Sequence, residues 1–293
     1  MRIAHFTDLH LLRPPSVGGL IGKRLLGAAN LYLAGRSRRF SEASAGALVE
    51  AVLALEPDLC VCTGDLTAMA SEAEFEAARA LLEPLTARWP LVVVPGNHDV
   101  YTRGSLRERR FERHFGAWSG GRSYPALQVF GEVAFIGLDC VRPHPLLATG
   151  VVPAAQLSAL EAMLGSQELE GRAVVVLLHH PLRDRDGAPY RDGARKLLNA
   201  AELERVLAAR SGLTMILHGH EHHGFATTMP APAGPIPIFD PGAGGRTEAP
   251  GHAQTAHFNL YEVSRAGLLG VERWALRGGR FAPEPGGPYA TGR

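Results

Sequence analysis

The run His218-Gly219-His220-Glu221-His222-His223 constrains this chain more than any other stretch. Four imidazoles fall within six residues, directly after the apolar segment 214–217, which reads as a buried strand. Four earlier stretches repeat the arrangement. Residues 3–6 precede Asp8-Leu9-His10, and residues 59–63 precede Gly64-Asp65. Residues 91–94 precede Gly96-Asn97-His98-Asp99, and residues 174–178 precede His179-His180. In an open α/β sheet, ligands gather beyond the carboxyl ends of the strands. Five strands ending this way put Asp, Asn and His side chains on one rim. That mixture of oxygen and imidazole donors suits Mn, Fe or Zn better than Ca or Mg alone.

The segments between these ends have helical or turn character. Residues 41–55 carry Ala45, Leu48, Val49, Val52 and Leu55 at helical spacing, and Pro57 closes that helix. Ser71 with Glu74 predicts a capping box for a helix to about residue 82, before Pro84. The order so far is β-α-β-α-β, which implies a mainly parallel sheet. Residues 105–118 read as a helix, and 127–130 with 133–138 as a hairpin turning at Gly131-Glu132. Pro153 opens a helix to about 164, and residues 194–209 predict another, stopped by Ser211-Gly212. Short strands follow at 225–228, 236–239, 257–263 and 268–275. Two packed sheets with helices outside are therefore expected, in one domain over residues 1–276. The Gly- and Pro-rich residues 277–293 read as a loose tail.

Residues 11–40 have no clear period. They hold Pro14-Pro15, Gly18-Gly19 and a basic end at Arg36, Arg38 and Arg39. They read as an insert near the site, either a lid with a solvated charged edge or an interfacial element for anionic or lipid-like ligands. Net charge is +1 over 293 residues, so no global field draws the chain to nucleic acid. Three cysteines, Cys60, Cys62 and Cys140, are too few for a disulfide framework and read as buried thiols. The chain opens directly into a strand and has no apolar run of about 18 to 20 residues, so a cytoplasmic location is expected.

The residue types predict a two-metal site. A carboxylate has two oxygens and can bridge two cations, and Asp65 is the candidate bridge. Asp8, His10 and one late histidine complete one metal; Asn97, His179 and another late histidine complete the second. Two cations about 3.5 to 4 Å apart clamp a phosphoryl group and lower the pKa of the water between them. No Gly-x-Ser-x-Gly or Walker-A stretch offers another route. His98, beside Asn97, is a candidate to protonate the leaving oxygen or stabilise its charge.

The order Asp-x-His, Gly-Asp, Gly-Asn-His-Asp, His, Gly-His-x-His resembles the calcineurin-like metallophosphoesterase superfamily, over Asp8 to His222. The Asp-x-His opening and the His-His-Pro stretch are most similar to its bacterial class III cyclic-nucleotide phosphodiesterase branch. The resemblance implies a four-layer α/β/β/α sandwich of two mixed β-sheets flanked by helices. It implies Asp8, His10, Asp65 and His222 on one metal, and Asp65, Asn97, His179 and His220 on the other. It favours His179 over His180 and leaves His180 behind the ligands or against substrate. His5 and His218 are expected to support the site from the core, and His223 to face solvent or substrate. Asp99 is expected to orient His98 or cap the following helix. Asp139 is a strand-end turn residue or an acid near the site.

These readings together predict a phosphodiesterase with a small-molecule phosphoester substrate, such as a cyclic nucleotide, attacked by hydroxide held between two metal ions (Mn, Fe or Zn). A lipid-linked or nucleotide-sugar pyrophosphate is the alternative substrate, and a non-catalytic metal-binding scaffold is the rival of another kind. No nucleic-acid polymer is expected as a partner. The insert at 11–40 is a candidate for peripheral membrane contact, and the C-terminal strands for pairing in a dimer.

Overall fold

Strands whose side chains alternate between two buried surfaces must be covered on both faces. The computed structural model shows how this chain meets that demand. It describes residues 1–13, 39–121, 123–144, 146–249 and 255–284. Most of the basic insert, residues 14–38, and the end of the tail, 285–293, lie outside the described residues.

Among the described residues twelve strands run in chain order as β1 (Arg2–Phe6), β2 (Leu59–Cys62), β3 (Leu91–Val93), β4 (Ala126–Phe130), β5 (Val133–Gly137), β6 (Ala173–Leu177), β7 (Leu213–Leu217), β8 (Phe225–Met229), β9 (Ile236–Asp240), β10 (His257–Ser264), β11 (Gly267–Arg277) and β12 (Arg280–Pro283). They form two six-stranded sheets, ordered β12-β11-β10-β1-β2-β3 and β4-β5-β6-β7-β9-β8. Both are mixed. β1, β2 and β3 are parallel, while β10 runs antiparallel to β1. β5, β6, β7 and β9 are parallel, with antiparallel β4 and β8 at the edges.

Side-chain alternation builds the layers. Ile3, Leu59, Val61 and Val92 from the first sheet meet Phe135, Val175, Leu177 and Met215 from the second. Ala4, Phe6, Cys60 and Cys62 point the other way, against helices α1 (Glu42–Leu55) and α2 (Glu72–Thr86) through Leu48, Val52, Phe75 and Leu82. On the far side, Val174, Val176 and Ile216 pack on Leu160, Leu164, Leu203 and Leu207. The short α3 (Arg103–Arg107) and α4 (Arg110–Phe115) precede the two helices that carry those leucines, α5 (Ala154–Leu164) and α6 (Ala200–Ala208). Each fully buried Val, Leu or Phe here stabilises the fold by about 1.5–3 kcal/mol. The result is the four-layer α/β/β/α sandwich.

The elements depart from the sequence reading in four places. The capping box of Ser71 and Glu74 forms, but α2 runs through Pro84 to Thr86. Ala80, whose carbonyl loses its helical donor at Pro84, is exposed to water, so the break is tolerated. The single helix expected at 105–118 is two short ones, parted by Arg109 at φ 50°. The helix expected from 194 begins only at Ala200. Residues 194–198 bond instead to the 148–150 segment, through Ala148 N to Ala194 O (2.9 Å), Gly150 N to Lys196 O (3.1 Å) and Leu198 N to Gly150 O (2.8 Å). Finally, the tail read as loose from 277 turns at Gly278-Gly279, both at positive φ, and returns as β12. Two such glycines are what a tight two-residue hairpin turn requires. Among the described residues no helix is long and apolar enough to cross a membrane.

Candidate metal centre

The ends of β1, β2, β3, β6 and β7 meet because the loops after them bond to one another. Asp8 N donates to Gly64 O (2.9 Å) and His10 N to Asp65 O (2.9 Å). Gly219 N donates to His179 O (3.1 Å), and His220 N to Asp8 Oδ2 (3.0 Å). Two groups of ligand atoms result: Asp8, His10, Asp65 and His222, and Asp65, His179 and His220. Asn97 joins the second group, with Oδ1 3.1 Å from His179 Nε2. Asp65 is common to both. Its Oδ1 accepts from His98 N at 2.7 Å. Its Oδ2 lies 3.6 Å from His10 Nε2 and 3.4 Å from His179 Nε2, so one oxygen faces both groups.

The backbone is strained where the ligands sit. Asp8, His10, Asp65, His220 and His222 have φ of 54°, 47°, 53°, 77° and 56°, in the left-handed region. Each such non-glycine residue costs on the order of 1–3 kcal/mol and persists only where its surroundings hold it. Gly96 shows how tightly they do. A β-carbon there would collide with the backbone and carboxylate of Asp65. Gly219 is similarly pressed, with the Asp8 carboxylate 2.7 Å from where its β-carbon would stand.

The electrostatics suit cations. Asp8 Oδ1, Asp65 Oδ2 and His220 Nε2 are buried and accept or donate no hydrogen bond. A buried polar atom left this way costs about 1–3 kcal/mol. Imidazole nitrogens also face each other. His10 Nε2 is 2.9 Å from His222 Nε2, and His220 Nδ1 is 3.2 Å from His179 Nε2. Ring nitrogens gathered beside unsatisfied carboxylate oxygens offer, once deprotonated, a donor set for divalent cations, and the residues present fit two of them. Burial pushes the Asp8 and Asp65 carboxyls up, but the surrounding histidines outweigh it and hold both well below the usual range. Burial lowers His10 and His220. For His179, burial lowers the pKa but Asp65 dominates and raises it to about 9, so an incoming cation must displace a proton there.

The remaining candidates divide clearly. His98 donates from Nδ1 to Ala68 O (2.6 Å), and its ring stacks on Tyr101 at 5.3 Å. The Asp99 carboxylate accepts from Thr67 N (3.0 Å), Thr67 Oγ1 (3.1 Å) and Gly96 N (2.9 Å), which ties the Gly-Asn-His-Asp turn to the loop after β2. Burial and the Asp65 charge raise its carboxyl to about 7. His180 turns away from the ligand atoms, bonds to Ala148 O (2.7 Å) and lies beside Cys140 Sγ (3.4 Å). Asp139 binds Val141 N (3.0 Å) and Arg142 (2.7 Å) as a strand-end turn residue. His223 is partly exposed and supplies no atom to either group. His5 bonds to Tyr261 and Thr63 within the core, and His218 lies 3.4 Å from Asp240.

Four neighbours of the site escaped the sequence reading: Phe40, Tyr190, Arg195 and Arg246. Phe40 sets its ring 4.4 Å from that of His10 and 5.3 Å from that of His222. Its signal was present, since an apolar residue just before the N-cap Ser41 commonly packs back on the fold. The other three carried none.

A family described as calcineurin-like phosphoesterase matches residues 1–224. A Synechococcus sp. protein described as "Probable cyclic nucleotide phosphodiesterase" is 27% identical over 230 residues, 77% of this chain and 74% of the relative. Among solved structures, a dimetal phosphatase from Danio rerio aligns over 96% of this chain and 98% of its own, with TM-score 0.63 and 14% identity. A purple acid phosphatase from yellow lupin aligns over 96% and 52%, with TM-score 0.56 and 14% identity. At such identities the structural likeness speaks for the fold.

Proposed function

Because the chain belongs to the calcineurin-like phosphoesterase family and is a hydrolase acting on phosphoric esters, we propose that it is a phosphodiesterase for a cyclic nucleotide or another small phosphodiester. The observation that carries the dinuclear chemistry is the position of Asp65 Oδ2 between His10 and His179. The diester preference draws support from the cyanobacterial relative.

In this reading Asp8, His10, Asp65 and His222 hold one cation, and Asp65, Asn97, His179 and His220 the other. Manganese, iron or zinc suits the donors. Bound there, the cations supply charge at the phosphoryl oxygens and make water between them more acidic. The chain's own residues do the rest. His179 donates from Nδ1 to Thr63 O at 2.8 Å, which keeps the lone pair of Nε2 on the site. Asp8 Oδ2, by accepting from His220 N, aligns the last turn with the first. His98 anchors its Nδ1 proton on Ala68 O; as the imidazolium it carries a second proton, on Nε2, which passes to the departing alkoxide and leaves the neutral ring with its hydrogen on Nδ1. A thiolate nucleophile is not available. All three cysteines are buried, and burial raises Cys60 to about 12 and Cys140 to about 11.

The test compares bis(p-nitrophenyl) phosphate with p-nitrophenyl phosphate, after metal stripping and again after adding manganese. Diester turnover restored by manganese and well above the monoester rate is expected. A monoester rate equal to or above it would overturn the diester assignment while leaving the family chemistry intact.

A further inference from the structure

Two guanidinium groups from distant segments grip the turn that carries His220 and His222. Arg195, in the loop before α6, donates through Nη2 to the His220 carbonyl. Arg246, in the loop after β9, donates through Nη1 to the His222 carbonyl at 3.0 Å. These are the two histidines of the turn with left-handed backbone, φ 77° and 56°. Glu221 between them is held as well. Its Oε1 lies 3.3 Å from Arg195 Nη1 and accepts from the Tyr190 hydroxyl. The two φ values decide where the imidazoles point, and a charged donor on each carbonyl fixes the orientation of the following peptide.

We infer that Arg195 and Arg246 are positioning residues of the metal centre, each assigned to one cation position. Arg246 acts through His222 on the position shared with Asp8 and His10. Arg195 acts through His220 on the position shared with Asp65 and His179. The inference rests on the metal-centre reading above and adds a role to residues that hold no ligand atom.

Charge and positioning predict opposite signs. A guanidinium near a cation repels it, so if charge alone mattered, removing an arginine would tighten cation binding. If the arginine holds a strained ligand in place, removing it loosens binding, by about 10- to 100-fold as for other partners that orient metal ligands.

The experiment titrates metal-stripped full-length chain with manganese by calorimetry, for wild type, Arg246→Met and Arg195→Met, with His222→Ala and His220→Ala as references. Arg246→Met is expected to weaken one of two binding events by about 10- to 100-fold. Its effect vanishes on a His222→Ala background and persists in full on a His220→Ala background. Arg195→Met gives the converse. Arg246→Lys and Arg195→Lys keep the charge but lose the planar fork, and give smaller losses at the same positions with less disturbance of the fold. Unchanged or tighter binding in the Met variants overturns the inference. So does an equal loss at both positions accompanied by a lower Tm, which is the mark of a general structural role. A wild-type chain that takes up no manganese sinks the metal-centre reading itself, a result distinct from wild type and variants binding alike.

Discussion

Asp65→Ala is expected to abolish phosphoester hydrolysis, by about 10³-fold or more, and to reduce bound metal. Asp65 is the one residue common to both ligand groups, and its Oδ2 is the atom that faces both. Its loss removes an anionic donor from each cation position at once. A second effect runs through Oδ1, which anchors His98 N at 2.7 Å and so holds the Gly-Asn-His-Asp turn. Asp65→Asn separates the two. It keeps an acceptor for His98 N but lacks the charge, so it should retain the turn and still lose metal. Metal content per chain, measured beside activity, checks this. Full occupancy in Asp65→Ala would contradict the shared role.

His98→Ala gives the second large effect, of a different kind. Metal content stays at the wild-type level, because His98 supplies no atom to either group. The rate on a diester with a poor leaving group falls by about 100-fold or more, the usual contribution of a positioned general acid. The rate on a nitrophenyl ester falls much less, since nitrophenolate leaves without a proton. The contrast between leaving groups separates proton donation from a general loosening of the site. An unchanged rate on the poor leaving group would remove His98 from the mechanism.

What the sequence disclosed and what it hid follow a physical division. The convergence of Asp8, His10, Asp65, Asn97 and His179 was legible because each stands in a short local pattern, just beyond an apolar run, whereas the choice of His220 and His222 from the late cluster came from the family resemblance. Parallel strands carry such ends to one rim whatever the helices between them do. The two-sheet arrangement was legible for the same reason, since runs buried on both faces need cover on both. Some of the failures are long-range and some are local. Residues 194–198 have helical composition but bond through their backbone to 148–150, a pairing no local pattern announces. The glycines at 278 and 279 suggested looseness, whereas their positive φ makes a hairpin. Arg195 and Arg246 stand in no motif, and only tertiary structure brings them to the carbonyls of His220 and His222. Asp99 was expected to orient His98 or cap the following helix, and its carboxylate accepts from Thr67 N and Gly96 N.

The most direct test of a dinuclear centre built on Asp65 is cation stoichiometry. Metal-stripped chain is titrated with manganese, and bound metal and diester hydrolysis are followed on the same samples. Two cations per chain, with activity returning only as the second position fills, is the predicted result. Full activity with a single bound cation, or hydrolysis by a chain that binds none, would contradict it.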